Sequence, residues 1–411
     1  MTTEDTTMIS STRRRILQGA GLGSLSGLWP FSAAGARKTA LDVYGELGVR
    51  PVINFQGTYT TIGASKQAPE LFEAQAEAAR HYVVLEELQD AIGRRLSALI
   101  GCEDAMVSSG TAGAIAIGTY ACVAGADSKK IQQLPDVSGM KSEVIIQKIH
   151  RNGYDHAIRT AGVKIVEVEG AEQLEKAINP KTAMIYILGG TTGDWTWKDQ
   201  VHVEIPEVLK ISTPAGVPVM VDAANMLPPW KNIQDLGALG VDLICASGGK
   251  HMSGPQCSGL LAGRKDLIQA AWMNSNPHSA SSGRAMKVGR EEMVALWLAV
   301  ERYAKLDFKA IDKQSMKQAD DLERELKKIR GLRTSRVPFE RTRRVHRVAL
   351  EWDEAELGIT TREFKKQLLE GEPRIVVAGN PRQGVEFTVF MNEPGDGQIA
   401  ARRVREIFSK A

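Results

Sequence analysis

The stretch that decides the fold is residues 242–251, which read Asp-Leu-Ile-Cys-Ala-Ser-Gly-Gly-Lys-His. Its apolar first half predicts a short buried strand. The two glycines after it leave space for a flat ring to approach the backbone close to Lys250. A second apolar run just upstream, Val219–Val221, ends on Asp222. The chain therefore has one predicted strand that ends in an acid and a later one that leads into a lysine.

This pairing is what pyridoxal phosphate (PLP) chemistry requires. The amine of Lys250 can form a Schiff base with the cofactor aldehyde, and the carboxylate of Asp222 can keep the pyridine nitrogen protonated, so that the ring accepts electrons from the substrate Cα. Taken alone, Lys250 would be read as a solvated surface charge and Asp222 as a helix N-cap. We predict that both residues are catalytic.

A Gly-rich turn upstream has the features of an anion site. Ser109-Gly110-Thr111-Ala112 follows a strand-like run and opens a helix of small apolar residues. Backbone N–H groups and hydroxyls at the positive end of that helix are predicted to hold the PLP phosphate, although a simple capped turn is the alternative. Ser247 is expected either to add a further hydroxyl to the phosphate site or to serve only in its own turn.

A histidine is predicted to stack on the cofactor ring. His150 closes the strand-like run that begins at Glu143, so its side chain would project over the cofactor at the carboxyl edge of the sheet. His156 is the competing candidate, and a hydrogen-bonded surface histidine is the alternative for both. We favour His150.

Strand-like runs alternate with helical patterns through the middle of the chain, which predicts an α/β fold with a doubly wound, mostly parallel sheet. We expect an N-terminal segment at 37–67, a large PLP-binding domain at 68–304 and a smaller C-terminal α/β domain at 305–411. The strands of the large domain are predicted at 105–107, 143–146, 164–168, 183–188, 217–221, 243–245 and 259–262.

The first 36 residues have the pattern of an export signal. Residues 12–18, Thr-Arg-Arg-Arg-Ile-Leu-Gln, resemble a twin-arginine motif, and a mildly apolar run leads to Ala34-Gly35-Ala36. We predict a twin-arginine signal peptide over 1–36 and a periplasmic mature protein. A disordered basic tail is the alternative.

Composition points to a small-molecule partner. The chain has 411 residues with 52 Lys and Arg against 49 Asp and Glu, so its balance indicates neither a nucleic acid partner nor an anionic membrane. The sequence contains no uninterrupted apolar run of about 20 residues, so we expect no stable membrane insertion. The four cysteines lack C-x-x-C spacing, which predicts structural burial and no metal site.

These motifs together resemble fold-type I PLP enzymes, and more narrowly the selenocysteine synthase-like group. That group includes L-seryl-tRNA selenium transferase and D-glucosaminate-6-phosphate ammonia lyase. The resemblance covers most of the chain after Leu41 and is carried by residues 48–54, 57–58, 109–112, 222–224, 227–229, 247–250 and 254–259.

The resemblance implies roles for several residues. Lys250 would be the Schiff-base lysine, Asp222 the partner of the pyridine nitrogen, and 109–112 part of the phosphate site. Arg284 and Lys287 lie in a basic stretch that faces the active site in the family, although a solvated helix face is the alternative. A homodimer or higher homo-oligomer is implied as well.

A further arginine is a candidate by position. Arg374 lies in the predicted small domain, where an arginine often meets the substrate α-carboxylate in fold-type I enzymes. A structural ion pair explains it equally well.

The expected activity is an α,β-elimination of the ammonia lyase type on an amino acid or amino sugar acid. It would pass through an aldimine and a quinonoid, with Lys250 as acid and base. Racemisation and then transamination are the alternative reactions, and a non-catalytic periplasmic binding protein is the alternative of another class. The export signal and the lack of a basic N-terminal tRNA-binding domain argue against a selenium transferase.

Overall fold

The structure is a computed structural model that describes residues 42–190, 201–339, 343–380 and 383–409. The predicted signal peptide therefore lies outside the described residues. Within these ranges the chain forms two β-sheets with helices packed around them. The strands are β1 (Ile53–Phe55), β2 (Asp104–Ser108), β3 (Glu143–Gln147), β4 (Lys164–Val168), β5 (Thr182–Leu188), β6 (Val219–Asp222), β7 (Leu243–Ser247), β8 (Gly259–Gly263), β9 (Arg333–Arg336), β10 (Arg347–Glu351), β11 (Ile375–Gly379) and β12 (Val385–Thr388).

The larger sheet has seven strands in the order β2-β8-β7-β6-β5-β3-β4. All neighbouring pairs are parallel except those of β8, which runs antiparallel to both β2 and β7. The predicted α/β class and mostly parallel sheet are therefore confirmed. Strands β5 and β6 are buried almost throughout, because helices cover both faces of a parallel sheet and its strands read as continuous apolar runs.

Helices flank both sheets. They are α1 (Val43–Glu46), α2 (Glu70–Ala79), α3 (Leu85–Ile100), α4 (Thr111–Ala124), α5 (Ser128–Gln133), α6 (His156–Arg159), α7 (Gly170–Ala177), α8 (Ile205–Ser212), α9 (Lys231–Ala238), α10 (Lys265–Met273), α11 (Arg290–Ala304), α12 (Phe308–Leu326), α13 (Glu354–Leu357), α14 (Thr361–Glu370) and α15 (Asp396–Phe408). Short 3₁₀ turns occur at Thr60–Ile62, Lys148–His150 and Gly153–Asp155. Residues 80–84 separate α2 from α3.

The small residues of α4 let this helix lie directly on the larger sheet. Almost every residue of α4 is buried, and a Cβ on Gly118 would come within 2.5 Å of the Cε of Met220 in β6. The small side chains of 111–124 thus allow α4 to pack closely on the sheet.

The second sheet has five strands in the order β1-β11-β12-β10-β9, with β1 parallel to β11 and the other pairs antiparallel. Its core includes the fully buried Trp352, whose indole Nε1 donates to the carbonyl of Ile359 at 2.8 Å. Strand β1 comes from the predicted N-terminal segment, so that segment contributes to the sheet of the C-terminal part. The domain boundaries given above stay a prediction.

The structure tests the prediction that the cysteines are buried. All four cysteines lie in the described ranges and none forms a disulfide, but Cys257 is exposed, so the prediction of burial is wrong for that residue. It lies on the outer side of the loop that packs against the lysine turn.

Across the described residues, no helix has both the length and the apolar character that a bilayer span needs.

Candidate active site

The strand register brings the predicted site residues to one edge of the larger sheet. Asp222 ends β6 opposite Cys245 of β7, while Ser247 of β7 and Ser108 of β2 both pair with Gly259. Because β2, β6 and β7 run in the same direction, their carboxyl ends lie side by side. The crevice beyond such ends is where open α/β sheets bind their ligands.

Asp222 is buried and its carboxylate is fixed by two donors. The hydroxyl of Tyr186 donates to Oδ2 at 3.0 Å, and the N–H of Ala224 donates to Oδ1 at 2.9 Å. Burial raises the pKa of the Asp222 carboxyl above its ordinary 3.8, while the Ala224 N–H and the positive charge of Lys250 act in the opposite direction. A cationic N–H next to this carboxylate would offset its burial, as the protonated nitrogen of a PLP ring does.

Lys250 lies on a turn that only glycines permit. A Cβ on Gly248 would meet Oγ of Ser258 at 2.2 Å, and one on Gly249 would meet Cα of Gln256 at 2.5 Å. The Ser-Gly-Gly-Lys sequence is therefore needed to pack the turn against the loop that follows it. At the end of this turn, Nζ of Lys250 donates to Oδ1 of Asn225 at 2.9 Å.

The turn before α4 fits a phosphate group. Gly110 caps the helix with φ of 117°, a conformation that favours glycine, and the first-turn N–H groups follow from Thr111 onward. Within the described part of the chain, the Oγ1 of Thr111 is buried and has no hydrogen-bond partner. A buried hydroxyl with no partner beside a helix N-terminus is what an anion would complete. Ser247 is half-buried at the end of β7 on the same edge.

The structure separates the two candidate histidines. His150 is fully buried at the end of the 3₁₀ turn after β3, whereas His156 is exposed at the start of α6 with Nδ1 3.0 Å from Nη2 of Arg159. Burial, with a smaller effect of His202, lowers the pKa of His150 to about 4. His150 is therefore neutral at pH 7, which suits a ring that stacks on the cofactor. The stacking role stays a prediction.

A cavity of about 380 Å³ opens above Lys250. Asn225 and Lys250 form one side, and the other side comes from the second sheet and from the loop after β1. In that second wall, Nη1 of Arg347 lies 3.2 Å from Oε2 of Glu386. The lining residues are Gln56, Gly57, Thr58, Tyr59, Thr60, Tyr154, Asn225, Lys250, His251, Arg343, Val345, Arg347, Ala378, Gly379, Glu386, Thr388 and Phe390.

Of the predicted site residues, Lys250 lines this cavity. The others do not, and they are 109–112, His150, Asp222, Ser247, Arg284, Lys287 and Arg374. The guanidinium of Arg374 donates to the carbonyls of Leu369 at 2.8 Å and Arg50 at 3.0 Å, and its role toward a substrate carboxylate stays a prediction. Arg284 is half-buried and Lys287 exposed in the segment that precedes α11. Their contact with substrate stays a prediction.

The sequence reasoning missed several residues of the site. Asn225 lies three residues after Asp222, outside the predicted strand, and Tyr186 lies inside an apolar strand. A polar residue inside an otherwise apolar strand next to β6 is a signal that could have drawn attention to Tyr186. Arg343, Arg347 and Glu386 gave no local signal, because they reach the cavity only through the way the second sheet faces Lys250.

Comparisons with known proteins decide the family. Residues 141–357 match the aminotransferase class-V family model, which is more than half of the chain. The chain is also 30% identical over 385 residues to D-glucosaminate-6-phosphate ammonia lyase of Salmonella typhimurium, covering 90% of this chain and 99% of that protein. The protein belongs to the aminotransferase class-V family. A solved structure of D-glucosaminate-6-phosphate ammonia-lyase matches with a TM-score of 0.77 at 30% identity, over 90% of this chain and 99% of that one.

Two further relatives carry different names. The 5'-C-glycyluridine monooxygenase-decarboxylase of Streptomyces sp is 31% identical over 348 residues, covering 81% of this chain and 83% of that protein. The L-seryl-tRNA(Sec) selenium transferase of Carboxydothermus hydrogenoformans is 28% identical over 285 residues, covering 63% and 57%. The resemblance to the selenocysteine synthase-like group is thus confirmed, with the selenium transferase as the more distant relative.

Family membership confirms the fold type and the cofactor. The protein is a fold-type I enzyme that uses PLP, and it is not merely a binding protein. The residues at the sheet edge suit this cofactor: Asp222 for the ring nitrogen, Lys250 for the aldehyde and the Thr111 turn for the phosphate.

Replacing His150 tests its neutral, buried state. In the unfolded chain His150 takes up a proton near its ordinary pKa of 6.5, whereas in the folded chain it does so only near pH 4. The free energy of unfolding of the wild type therefore decreases as the pH falls across this interval. We expect the decrease in the free energy of unfolding between pH 7 and pH 4 to be smaller in His150→Gln than in the wild type, by up to about 3 kcal/mol. Urea unfolding at the two pH values measures it. The exposed His156→Gln should keep the wild-type slope, and identical slopes in all three proteins would contradict the assignment.

Proposed function

We propose that the protein catalyses an α,β-elimination on an amino acid or amino sugar acid and releases ammonia and a 2-oxo acid. The observation that carries this proposal is the meeting of Lys250 and Asp222 at the carboxyl edge of the sheet, below a polar cavity. Similarity to an ammonia lyase over nearly the whole of both chains supports the reaction type.

The residues of the site have different roles in the proposed reaction. When bound, PLP supplies an electron sink for the substrate Cα. Asp222 holds a proton at the ring nitrogen, and the Thr111 turn binds the phosphate. Nζ of Lys250 takes the Cα proton and then gives a proton to the group that leaves from Cβ. Asn225 accepts a hydrogen bond from Nζ and so orients the amine.

The cavity wall opposite Lys250 suits an anionic, hydroxylated substrate. Arg343 and Arg347 provide guanidinium donors for carboxylate or phosphate oxygens, and Glu386 and Thr388 provide acceptors for hydroxyl groups. A lining of this charge and polarity favours an anionic, polar substrate over one with a purely apolar side chain. An amino sugar acid, the substrate type in the name of the ammonia lyase relative, has both kinds of group.

We expect ammonia and a 2-oxo acid to appear together when the enzyme is given D- and L-β-hydroxy amino acids and amino sugar acids. Lys250→Ala should lower the rate by at least about 10³-fold, because the acid and base at Cα is removed. The control Lys231→Ala changes an exposed lysine on α9 and should leave the rate unchanged.

Other products would contradict the elimination. Exchange of the Cα hydrogen with inversion and without ammonia would indicate a racemase, and amino transfer to an added 2-oxo acid would indicate an aminotransferase. Oxygen consumption with release of carbon dioxide would indicate the type of reaction named for the Streptomyces relative.

We also propose that the enzyme acts as a homo-oligomer, at least a dimer. Tyr82 is 99% exposed, and Val83 and Val84 beside it are about half exposed, as are Tyr44 and Val49 near the start of the described chain. Large apolar side chains exposed in groups favour a protein contact. Arg284 and Lys287, which lie outside the cavity of their own chain, would then be available to a neighbouring subunit.

Export through the twin-arginine route is the remaining part of the proposal, and it is supported by the pattern of residues 1–36 alone. We expect the wild type to be recovered from the periplasm without residues 1–36. Its mass in solution should be that of at least two chains. The double variant Arg13→Lys, Arg14→Lys should stay in the cytoplasm at full length. Equal cytoplasmic retention of both proteins would contradict export, and a monomeric mass would contradict the oligomer.

A further inference from the structure

Tyr186 is a polar residue inside an apolar strand. β5 reads Thr-Ala-Met-Ile-Tyr-Ile-Leu over 182–188, and Tyr186 is fully buried in it. Its ring belongs to the apolar cluster that also contains Met220 of β6 and the buried residues of α4. A phenylalanine ring would serve the same packing. The hydroxyl therefore has a role of its own, because a buried polar group is costly unless it is hydrogen-bonded.

The strand register aligns Tyr186 with the acid of the site. Tyr186 pairs with Met220, two residues before Asp222. Paired residues of neighbouring strands point to the same face of a sheet, and so do alternate residues along one strand, so Tyr186 and Asp222 share a face. The hydroxyl of Tyr186 donates to Oδ2 of Asp222 at 3.0 Å, while the N–H of Ala224 donates to Oδ1 at 2.9 Å.

The hydrogen bond between Tyr186 and Asp222 has a fixed direction. Burial, the charge of Asp222 and the hydrogen bond to it raise the pKa of the Tyr186 hydroxyl well above its ordinary 10, whereas the amide of Asn152 acts in the opposite direction by a hydrogen bond. Tyr186 therefore keeps its proton and donates it, and an ionised carboxylate can only accept. Because both oxygens of Asp222 already accept, a proton shared with a bound PLP ring is favoured on the ring nitrogen.

We propose that Tyr186 is a positioning residue that acts through Asp222: its hydroxyl keeps the carboxylate ionised and oriented, so that the nitrogen of the PLP ring retains its proton. With 0% of the residue exposed, Tyr186 has no surface that a substrate could touch. The inference rests on the role of Asp222 in the proposed function and is independent of the type of reaction.

The test compares Tyr186→Phe, which removes only the hydroxyl, with Tyr120→Phe as the matched control. Tyr120 is a buried tyrosine in the second half of α4, and its hydroxyl lies 3.0 Å from Oγ1 of Thr160. Asp222→Asn and the double variant Tyr186→Phe, Asp222→Asn complete the set. Two quantities are measured on each holoenzyme without turnover. They are the NMR chemical shift of the ring nitrogen in isotope-labelled PLP and the dissociation constant of PLP.

We expect Tyr186→Phe to move the chemical shift from the wild-type value toward that of Asp222→Asn, because a carboxylate that loses a donor competes better for the proton. The dissociation constant of PLP should rise by about 3- to 10-fold. Tyr120→Phe should keep the wild-type chemical shift and change the dissociation constant by less than about twofold. In the Asp222→Asn protein, adding Tyr186→Phe should leave the chemical shift unchanged, since Tyr186 acts through the missing carboxylate.

Three results would overturn the proposal: a wild-type chemical shift in Tyr186→Phe, the same change in Tyr120→Phe, or an undiminished effect of Tyr186→Phe in the Asp222→Asn protein. The second would indicate a general loosening of the fold, and the third an effect that does not pass through Asp222. A wild-type chemical shift in Asp222→Asn would contradict the role of Asp222 in the proposed function together with this inference. Failure of the elimination alone alters none of these readouts, because none depends on turnover.

Discussion

The buried carboxylate of Asp222 is the constraint on which the rest of the site depends. A carboxylate removed from water is costly unless donors or a cation compensate it, and here the hydroxyl of Tyr186 and the N–H of Ala224 supply only part of that compensation. The charge of Lys250 acts in the same direction. A cofactor ring with a protonated nitrogen completes the arrangement, so the fold prepares in advance the charge that the chemistry needs.

The surrounding structure fixes the distances between these groups through rigid elements. The small residues of α4 bring its first turn close to the sheet, and Gly248 and Gly249 let the lysine turn pack against the loop at Gln256 and Ser258. The second sheet and the segment before it contribute Arg343, Arg347 and Glu386 to the cavity that Lys250 also lines, and we propose that these residues recognise the substrate.

Much of this arrangement could be predicted from local sequence. All seven strands of the larger sheet were expected, with bounds within two residues, because buried parallel strands are apolar runs bounded by turn residues. The polar β9, Arg333–Arg336, and the three-residue β1 were missed, since neither has a periodic apolar pattern. Lys250 and Asp222 were found because their positions after strands are visible in the sequence. The cavity wall was not predicted, because it combines segments far apart in the chain, such as those of Lys250 and Arg343, that only tertiary packing brings to one cavity.

The central claim is that the amine of Lys250 is the group that binds the PLP aldehyde, and it has a direct measurement. Reduction of the purified holoenzyme with borohydride fixes this linkage, and peptide mapping by mass spectrometry locates the pyridoxyl group. The account predicts the label on Lys250, within the peptide that also contains His251. A label on another lysine, or no label in a protein that retains PLP, would contradict it.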